Sequence, residues 1–174
     1  MKKLLFLLLA GAVTAGTADA QKMSKKFSFG FGLEGGPTTG TISSTYGGAG
    51  GLTLRGSYHI GPGFATLTTG YLAYFPKSIS GASLSAGTQF PIKAGYKYIF
   101  LKHLFAMGEL GYSTFTTYVV NTSGGSTSFS SSGFTYAPAI GVQFGVFEAG
   151  VRYESTAVTG GSFNLIGIRL GFNF

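Results

Sequence analysis

The chain has 174 residues, of which 44% are hydrophobic and only 10% charged, with 30 Gly, 17 Phe, 10 Tyr and neither Cys nor Trp; globular domains carry ~25% charged residues. It is too apolar and too charge-poor to be disordered, and too rich in the poor helix formers Gly, Thr, Phe and Tyr to be a helical bundle. The length fits one domain.

The first segment reads as an address. Met1-Lys2-Lys3 is a positive start, Leu4 to Ala10 is apolar, and Ala18-Asp19-Ala20 has the small-x-small form of a cleavage site. This is the pattern of a secretory signal peptide over 1–20, and the apolar run is too short to be a spanning helix. The mature domain is expected to be 21–174. Export without Cys brings no disulfides.

From Phe27 onward the sequence alternates with period two, the signature of strands with one apolar face. Phe27, Phe29, Phe31 and Leu33 alternate with Ser28, Gly30, Gly32 and Glu34. Leu52, Leu54, Tyr58 and Ile60 alternate with Thr53, Arg55, Ser57 and His59. A third strand lies around Phe64 to Phe75, with no clear choice of which side faces out. A fourth is read from about Leu84 to Phe100, with Phe90, Ile92, Ala94, Tyr96 and Tyr98 opposing Lys93, Gly95 and Lys97. A fifth runs from about Leu104 to Val119, where Leu110 and Tyr112 oppose Glu109, Gly111 and Ser113. Three more follow around Phe134 to Phe144, Phe147 to Tyr153, and Ile166 to Phe174. Pro91 and Pro138 fall inside two of these strands and predict bulges, or points where the strand leaves its neighbour, because proline cannot donate to a ladder.

The connections predict an up-and-down meander. Pro37 to Thr45, Pro76 to Ser83, Asn121 to Ser132 and Ala157 to Ser162 read as long links. Gly61-Pro62-Gly63, Leu101-Lys102-His103 and Gly145-Val146 read as short ones. Short periplasmic turns and longer outer loops are what outer-membrane barrels have. Asn121 to Ser132, the longest link, is the first choice for any surface contact.

The phase of the charges separates a soluble barrel from a membrane one. Glu34, Arg55, Lys93, Lys97, Glu109, Glu148, Arg152, Glu154 and Arg169 all fall on the Gly/Ser/Thr side. The other side has Phe, Tyr, Leu, Ile and Val and no charge. A water-facing sheet of that kind would aggregate. A lipid-facing one requires it, since an Arg or Lys at the bilayer midplane costs roughly 2–4 kcal/mol. The nine charges are therefore expected inside a narrow barrel as a structural network, because buried charges must be paired. The barrel must close, since lipid satisfies no open edge.

The leader, the eight-strand pattern and the ending Ile166-Gly167-Ile168-Arg169-Leu170-Gly171-Phe172-Asn173-Phe174 resemble a small bacterial outer-membrane barrel, as in OmpA-type and OmpX-type proteins. The Gln after the cleavage site and the stretch Phe27 to Pro37 resemble the outer-membrane beta-barrel domain family of Bacteroidota. The resemblance implies an all-β, eight-stranded antiparallel transmembrane barrel in the outer membrane of a Gram-negative cell. It also implies that Phe172 and Phe174 form the terminal signal read by the barrel-assembly machinery. With no room after Phe174 for a peptidoglycan-binding domain, no tethering role is implied.

Other motifs carry less. Gly30 to Gly35 matches G-x-G-x-x-G, but Gly36-Pro37 follows where a dinucleotide site needs a helix. Asn121-Thr122-Ser123 reads as a loop triplet. His59 and His103 lack metal-ligand spacing and read as rim residues. His59, Ser113 and Glu109 supply the residue types of a lipid A-modifying enzyme, but nothing in their spacing gives mutual reach, and His59 belongs to the periplasmic end. The mature chain carries a net charge of +6, from ten Lys and Arg less four Glu, without the exposed basic patch of a nucleic-acid binder. The expectation is a monomeric, non-enzymatic barrel with no catalytic residues, metal or cofactor, in contact with outer-membrane lipid and the assembly machinery. It would contribute to envelope integrity or surface interaction with an unidentified ligand. A narrow pore or conduit for small apolar molecules is the alternative.

Overall fold

The computed structural model describes residues 26–77, 86–120, 126–158 and 161–174. The leader 1–20, Gln21 and the Asn121-Thr122-Ser123 triplet lie outside them. Eight strands run in chain order: β1 (Phe27–Thr39), β2 (Tyr46–Ile60), β3 (Gly63–Pro76), β4 (Gly87–Phe100), β5 (Leu104–Val120), β6 (Ser126–Phe144), β7 (Phe147–Val158) and β8 (Gly161–Asn173). Every neighbour pair is antiparallel, and β1 pairs with β8, so the sheet closes into an up-and-down barrel.

Strand parity places apolar side chains outside. Leu33, Leu52, Leu54, Leu67, Ile92, Leu110, Ile140 and Ile168 are all exposed. Aromatic residues flank this aliphatic belt: Tyr58, Tyr98, Phe144 and Phe172 toward the short-turn end, Tyr71, Phe90, Tyr112 and Phe134 toward the other. Two aromatic girdles around an apolar band are the wall of a transmembrane barrel. In β3 the parity that the sequence left open is settled: Thr66, Thr68, Leu72 and Tyr74 face in, and Leu67, Tyr71 and Phe75 face out.

Several links are shorter than expected. Pro37, Thr38 and Thr39 belong to β1, and a single 3-10 turn over Gly40–Ser44 follows. Ser126 to Ser132 belong to β6 and pair with Val120 to Thr114. Ala157, Val158, Gly161 and Ser162 pair with one another at the end of β7 and β8. β4 runs from Gly87, and Leu84, where its start was expected, lies outside the described residues. Among the described residues the outer end is thus built largely from overhanging strands, above all β5 (17 residues) and β6 (19 residues). Polar composition misled here, because Ser and Thr on both faces of a strand outside lipid leave no alternation to read.

The prolines interrupt the ladder without bulging it. On the β3 side of Pro91, pairing stops after Thr69↔Ile92 and resumes at Leu72↔Gln89 in the same register. Around Pro138 it stops after Tyr136↔Ser155 and resumes at Ala139↔Arg152. Around Pro37 it stops after Gly35↔Ile168 and resumes at Thr38↔Leu165. On the opposite side each proline stays paired: Pro91 with Ser113, Pro138 with Gly108 and Pro37 with Gly48. The missing N–H therefore costs pairing on one side only. The register shift in this sheet lies elsewhere, between Tyr46 and Gly48 on the β2–β3 ladder. A bulge turns a strand over locally, and here it re-aims Tyr46 into the barrel, where the side chain is buried.

Candidate functional site: the filled lumen and the outer hairpin

A barrel of eight strands has an interior just wide enough for side chains, and two kinds fill this one. Nearer the short turns stand all nine charged residues named from the sequence: Glu34, Arg55, Lys93, Lys97, Glu109, Glu148, Arg152, Glu154 and Arg169, each 4% exposed or less. They form two clusters. In the first, Glu148 accepts from Arg55 Nη1 at 2.6 Å and Arg169 Nη1 at 2.7 Å, and pairs with Lys97. Asn173 Nδ2 adds a hydrogen bond at 3.2 Å. In the second, Arg152 pairs with Glu34, with Glu154 at 3.0 Å and with Glu109 at 3.3 Å, while Lys93 pairs with Glu154. Arg55 Nε, 3.9 Å from Glu109, links the two. One carboxylate thus serves three cations near the short-turn mouth, and two cations serve three carboxylates above it.

Small residues make room for these long ones. A Cβ on Gly32 would lie 2.9 Å from the Arg169 guanidinium, and one on Gly171 would lie 2.7 Å from Arg169 Nη1. A Cβ on Gly167 would lie 2.9 Å from Glu34 Oε1. Hydroxyls complete the shell: Arg55 Nε donates to Thr68 Oγ1 at 3.1 Å, and Arg169 Nε donates to Thr53 Oγ1 at 3.0 Å. At the short-turn mouth Lys97 also stands over the Phe105 ring, 4.5 Å from its centroid.

Above the charges the filling becomes apolar, a feature the sequence reading missed. Ile42, Tyr46, Ala49, Leu72, Tyr74, Phe115 and Leu165 form one buried cluster, with Phe163 against it. Phe115 packs edge-on against Tyr74 (5.0 Å between centroids) and Tyr46 (5.8 Å), and lies 4.5 Å from Phe163. Tyr74 joins the layers: its hydroxyl donates to Gln89 Oε1 at 2.6 Å, and Gln89 Nε2 donates to Glu154 Oε1 at 2.8 Å. The signal for this plug was weak. Leu72 and Tyr74 sit in the strand of unclear parity, and the bulge reverses Tyr46.

The residues of the enzymatic alternative do not meet. His59 is exposed beside the 61–62 turn and stacks edge-on with Phe64, 5.1 Å away. Glu109 is buried with Arg152, and Ser113 accepts from Thr135 Oγ1 at 2.8 Å much further up β5. His103 lies in the turn before β5, stacked on Phe144 at 4.6 Å. Among the described residues no group of three His, Asp or Glu is placed to hold a metal ion.

Outside, the β5–β6 overhang presents hydroxyls. Beyond the Tyr112↔Phe134 pair, Thr114 bonds Ser132 at 3.0 Å and Thr116 bonds Ser130 at 2.9 Å, all on the exterior face. Phe129 is 63% exposed in the same hairpin. At the other end, Phe172 and Phe174 lie at the β8–β1 seam with ring centroids 5.7 and 6.1 Å from Phe31, and Phe174 exchanges backbone hydrogen bonds with Phe29.

No protein-family model and no curated protein sequence matches the chain. Solved structures do. Ail, the attachment invasion locus protein of Yersinia pestis, superposes with a TM-score of 0.63 at 14% identity, covering 85% of this chain and 97% of its own. The N-terminal β-barrel domain of Pseudomonas aeruginosa OprF gives 0.62 at 15% identity over 84% and 97%. Neisserial surface protein A gives 0.54 at 15% identity over 86% and 98%. At these identities the likeness is one of fold: this chain has the eight-stranded barrel of small outer-membrane proteins.

Proposed function

We propose that this protein is a non-enzymatic integral outer-membrane barrel, closed to solute flow, that acts through its wall and its outer β5–β6 hairpin in envelope integrity or surface interaction. One observation carries the reading: among the described residues every carboxylate faces the lumen, while the exterior belt is apolar and bounded by aromatic girdles. Water-soluble barrels place these classes the other way round, whereas a bilayer penalises charge on the outer wall. The fold shared with Ail, OprF and Neisserial surface protein A supports the same location. The closed lumen rests on the ion clusters and the aromatic plug above them, which leave the narrow interior filled.

The kind of surface contact is constrained by charge. Ail has been solved with the heparin analogue sucrose octasulfate. Here no charged residue stands between Glu109 and Glu148, so the hairpin offers a polyanion no counter-charge. It suits neutral partners, through hydroxyls and the exposed Phe129 ring. Phe172 and Phe174, at the closing seam, serve as the assembly signal in this reading. Deleting Phe174 is expected to lower the amount of folded barrel in cells several-fold, and wild-type levels would remove that role.

The reading as a whole is tested by fractionation and electrophoresis. Recovery from the outer-membrane fraction only with detergent, with a mobility that changes on boiling, is expected. Recovery as a soluble protein without detergent would overturn it.

A further inference from the structure

The charges of the lumen do not balance at its short-turn end. Five buried cations share the interior with four carboxylates, and the imbalance gathers around Glu148, where Arg55, Arg169 and Lys97 meet one acid. Two positive charges there have no carboxylate of their own. Both guanidiniums spend Nη1 on the same oxygen, Glu148 Oε1, and their Nη2 atoms are buried without a hydrogen-bond partner among the described residues. The second cluster, one charge negative, meets this one only where Arg55 Nε stands 3.9 Å from Glu109. The carboxylate at Phe174 belongs to the exposed seam, where its oxygen accepts from Phe29 N at 2.9 Å.

Beside the Glu148 cluster, at the short-turn mouth, a cavity of about 30 Å³ lies among Ser28, Ser57, Phe64, Lys97, Gln143 and Asn173. Ser28 and Ser57 are paired across the β1–β2 ladder, and neither hydroxyl has a protein partner among the described residues. Asn173 Nδ2 donates one hydrogen to Glu148 Oε2 at 3.2 Å and has a second to give, and Lys97 Nζ donates to Gln143 Oε1 at 2.6 Å. Hydroxyls, an amide and an ammonium are all donors, and no carboxylate lines the cavity. Its volume is on the scale of one or two waters.

We infer that this mouth binds a single monatomic anion of chloride size, as the counter-charge that the Glu148 cluster lacks. A water in the same place would accept the same hydrogen bonds but leave the excess charge unmatched, and buried charge is costly unless paired. An oxyanion such as sulfate is too large for the cavity. The site goes beyond the wall-and-hairpin reading and does not depend on it; only the name periplasmic for this mouth does.

The test uses the refolded barrel in a neutral detergent, each variant first shown to fold by its heat-modifiable mobility. Ionic strength is held fixed with gluconate, which is too large for the cavity. Chloride binding is read from broadening of the chloride NMR signal, and its effect on the fold from the urea midpoint. We expect broadening that bromide competes away and sulfate does not, with a saturating rise in the midpoint over the same chloride range, as mass action requires. Ser28→Val with Ser57→Val keeps every charge and removes both hydroxyls, and should weaken chloride binding roughly tenfold. Arg169→Gln, which lowers the excess charge, should also weaken it. Lys77→Gln, exposed at the outer end after β3, should leave it unchanged. In a crystal grown with bromide, an anomalous peak is expected against Asn173 Nδ2 or Lys97 Nζ. Equal midpoints in chloride and gluconate, competition by sulfate as strong as by bromide, a response that falls equally in Lys77→Gln, or bromide found only elsewhere would overturn the inference. A chain that is soluble without detergent would instead remove the membrane reading and leave this site standing.

Discussion

The lower and upper halves of the lumen fill the same narrow space with opposite chemistry. Below, Arg and Glu side chains reach across the barrel and neutralise one another. Above, Tyr46, Tyr74, Phe115 and Leu165 fill the interior by packing. Burial explains both. Deep in the barrel a charge is tolerable only when paired and hydrogen-bonded, and long side chains with several donors bridge from wall to wall. Toward the outer end, where the strands project past the lipid, the interior needs no polarity and behaves as an ordinary core. The lower half resists change because its charges depend on one another. The upper half resists change chiefly through packing, with the Tyr74–Gln89–Glu154 hydrogen bonds as its polar link to the lower half.

The sharpest way to break this contrast is Arg152→Ala. It strands Glu34, leaves Glu109 with only the distant Arg55 and the Thr68 hydroxyl, and leaves Glu154 to Lys93 and Gln89, and breaking a buried pair costs about 3–5 kcal/mol. We expect a fall of that size in the urea unfolding free energy of the refolded barrel; an unchanged midpoint would show that the cluster contributes nothing. Next comes Phe115→Ala, expected to cost about 3 kcal/mol through the cavity it leaves. Its effect should add to that of Arg169→Ala within ~0.5 kcal/mol, since the two sites share no partner. Strong coupling would mean that the halves act as one unit. Arg169→Ala alone should cost less than Arg152→Ala, about 1–2 kcal/mol, because Glu148 keeps Arg55 and Lys97. The smallest effect belongs to the exterior hairpin: Thr116→Ala with Ser130→Ala should cost under about 1 kcal/mol, as exposed hydroxyls exchange one another for water.

How much of this was legible in the sequence follows from where each strand sits. In the bilayer the environment on each side of the wall differs sharply, so Phe27 to Glu34, Leu52 to Tyr58 and Ile166 to Phe174 alternate cleanly and can be read by eye. Beyond the lipid that difference fades. Apart from Phe129, the run Ser126 to Ser132 holds only Ser and Thr and resembles a loop, although it pairs residue for residue with β5. The inner plug was hidden for another reason: Leu72 and Tyr74 are apolar residues on the inner face, opposite Tyr71 and Phe75 on the outer, so both parities look alike. Tyr46 was unreadable because its direction depends on a bulge, which is a property of pairing and not of one strand. The prolines were half legible. Loss of a donor was foreseeable, but nothing in one strand shows that the neighbour would hold its register across the gap.

The central claim is that the outward face contacts lipid acyl chains. The absence of cysteine makes single-site labelling clean. A fluorophore is attached at Leu110→Cys, in the belt, and at Thr116→Cys, three outward positions further along β5, in a barrel reconstituted into vesicles containing lipids brominated mid-chain. The account predicts strong quenching by the brominated lipid at 110 and little at 116, with the order reversed for a water-soluble quencher such as iodide. Quenching of the label at 110 by iodide, with none from the brominated lipid, would contradict it.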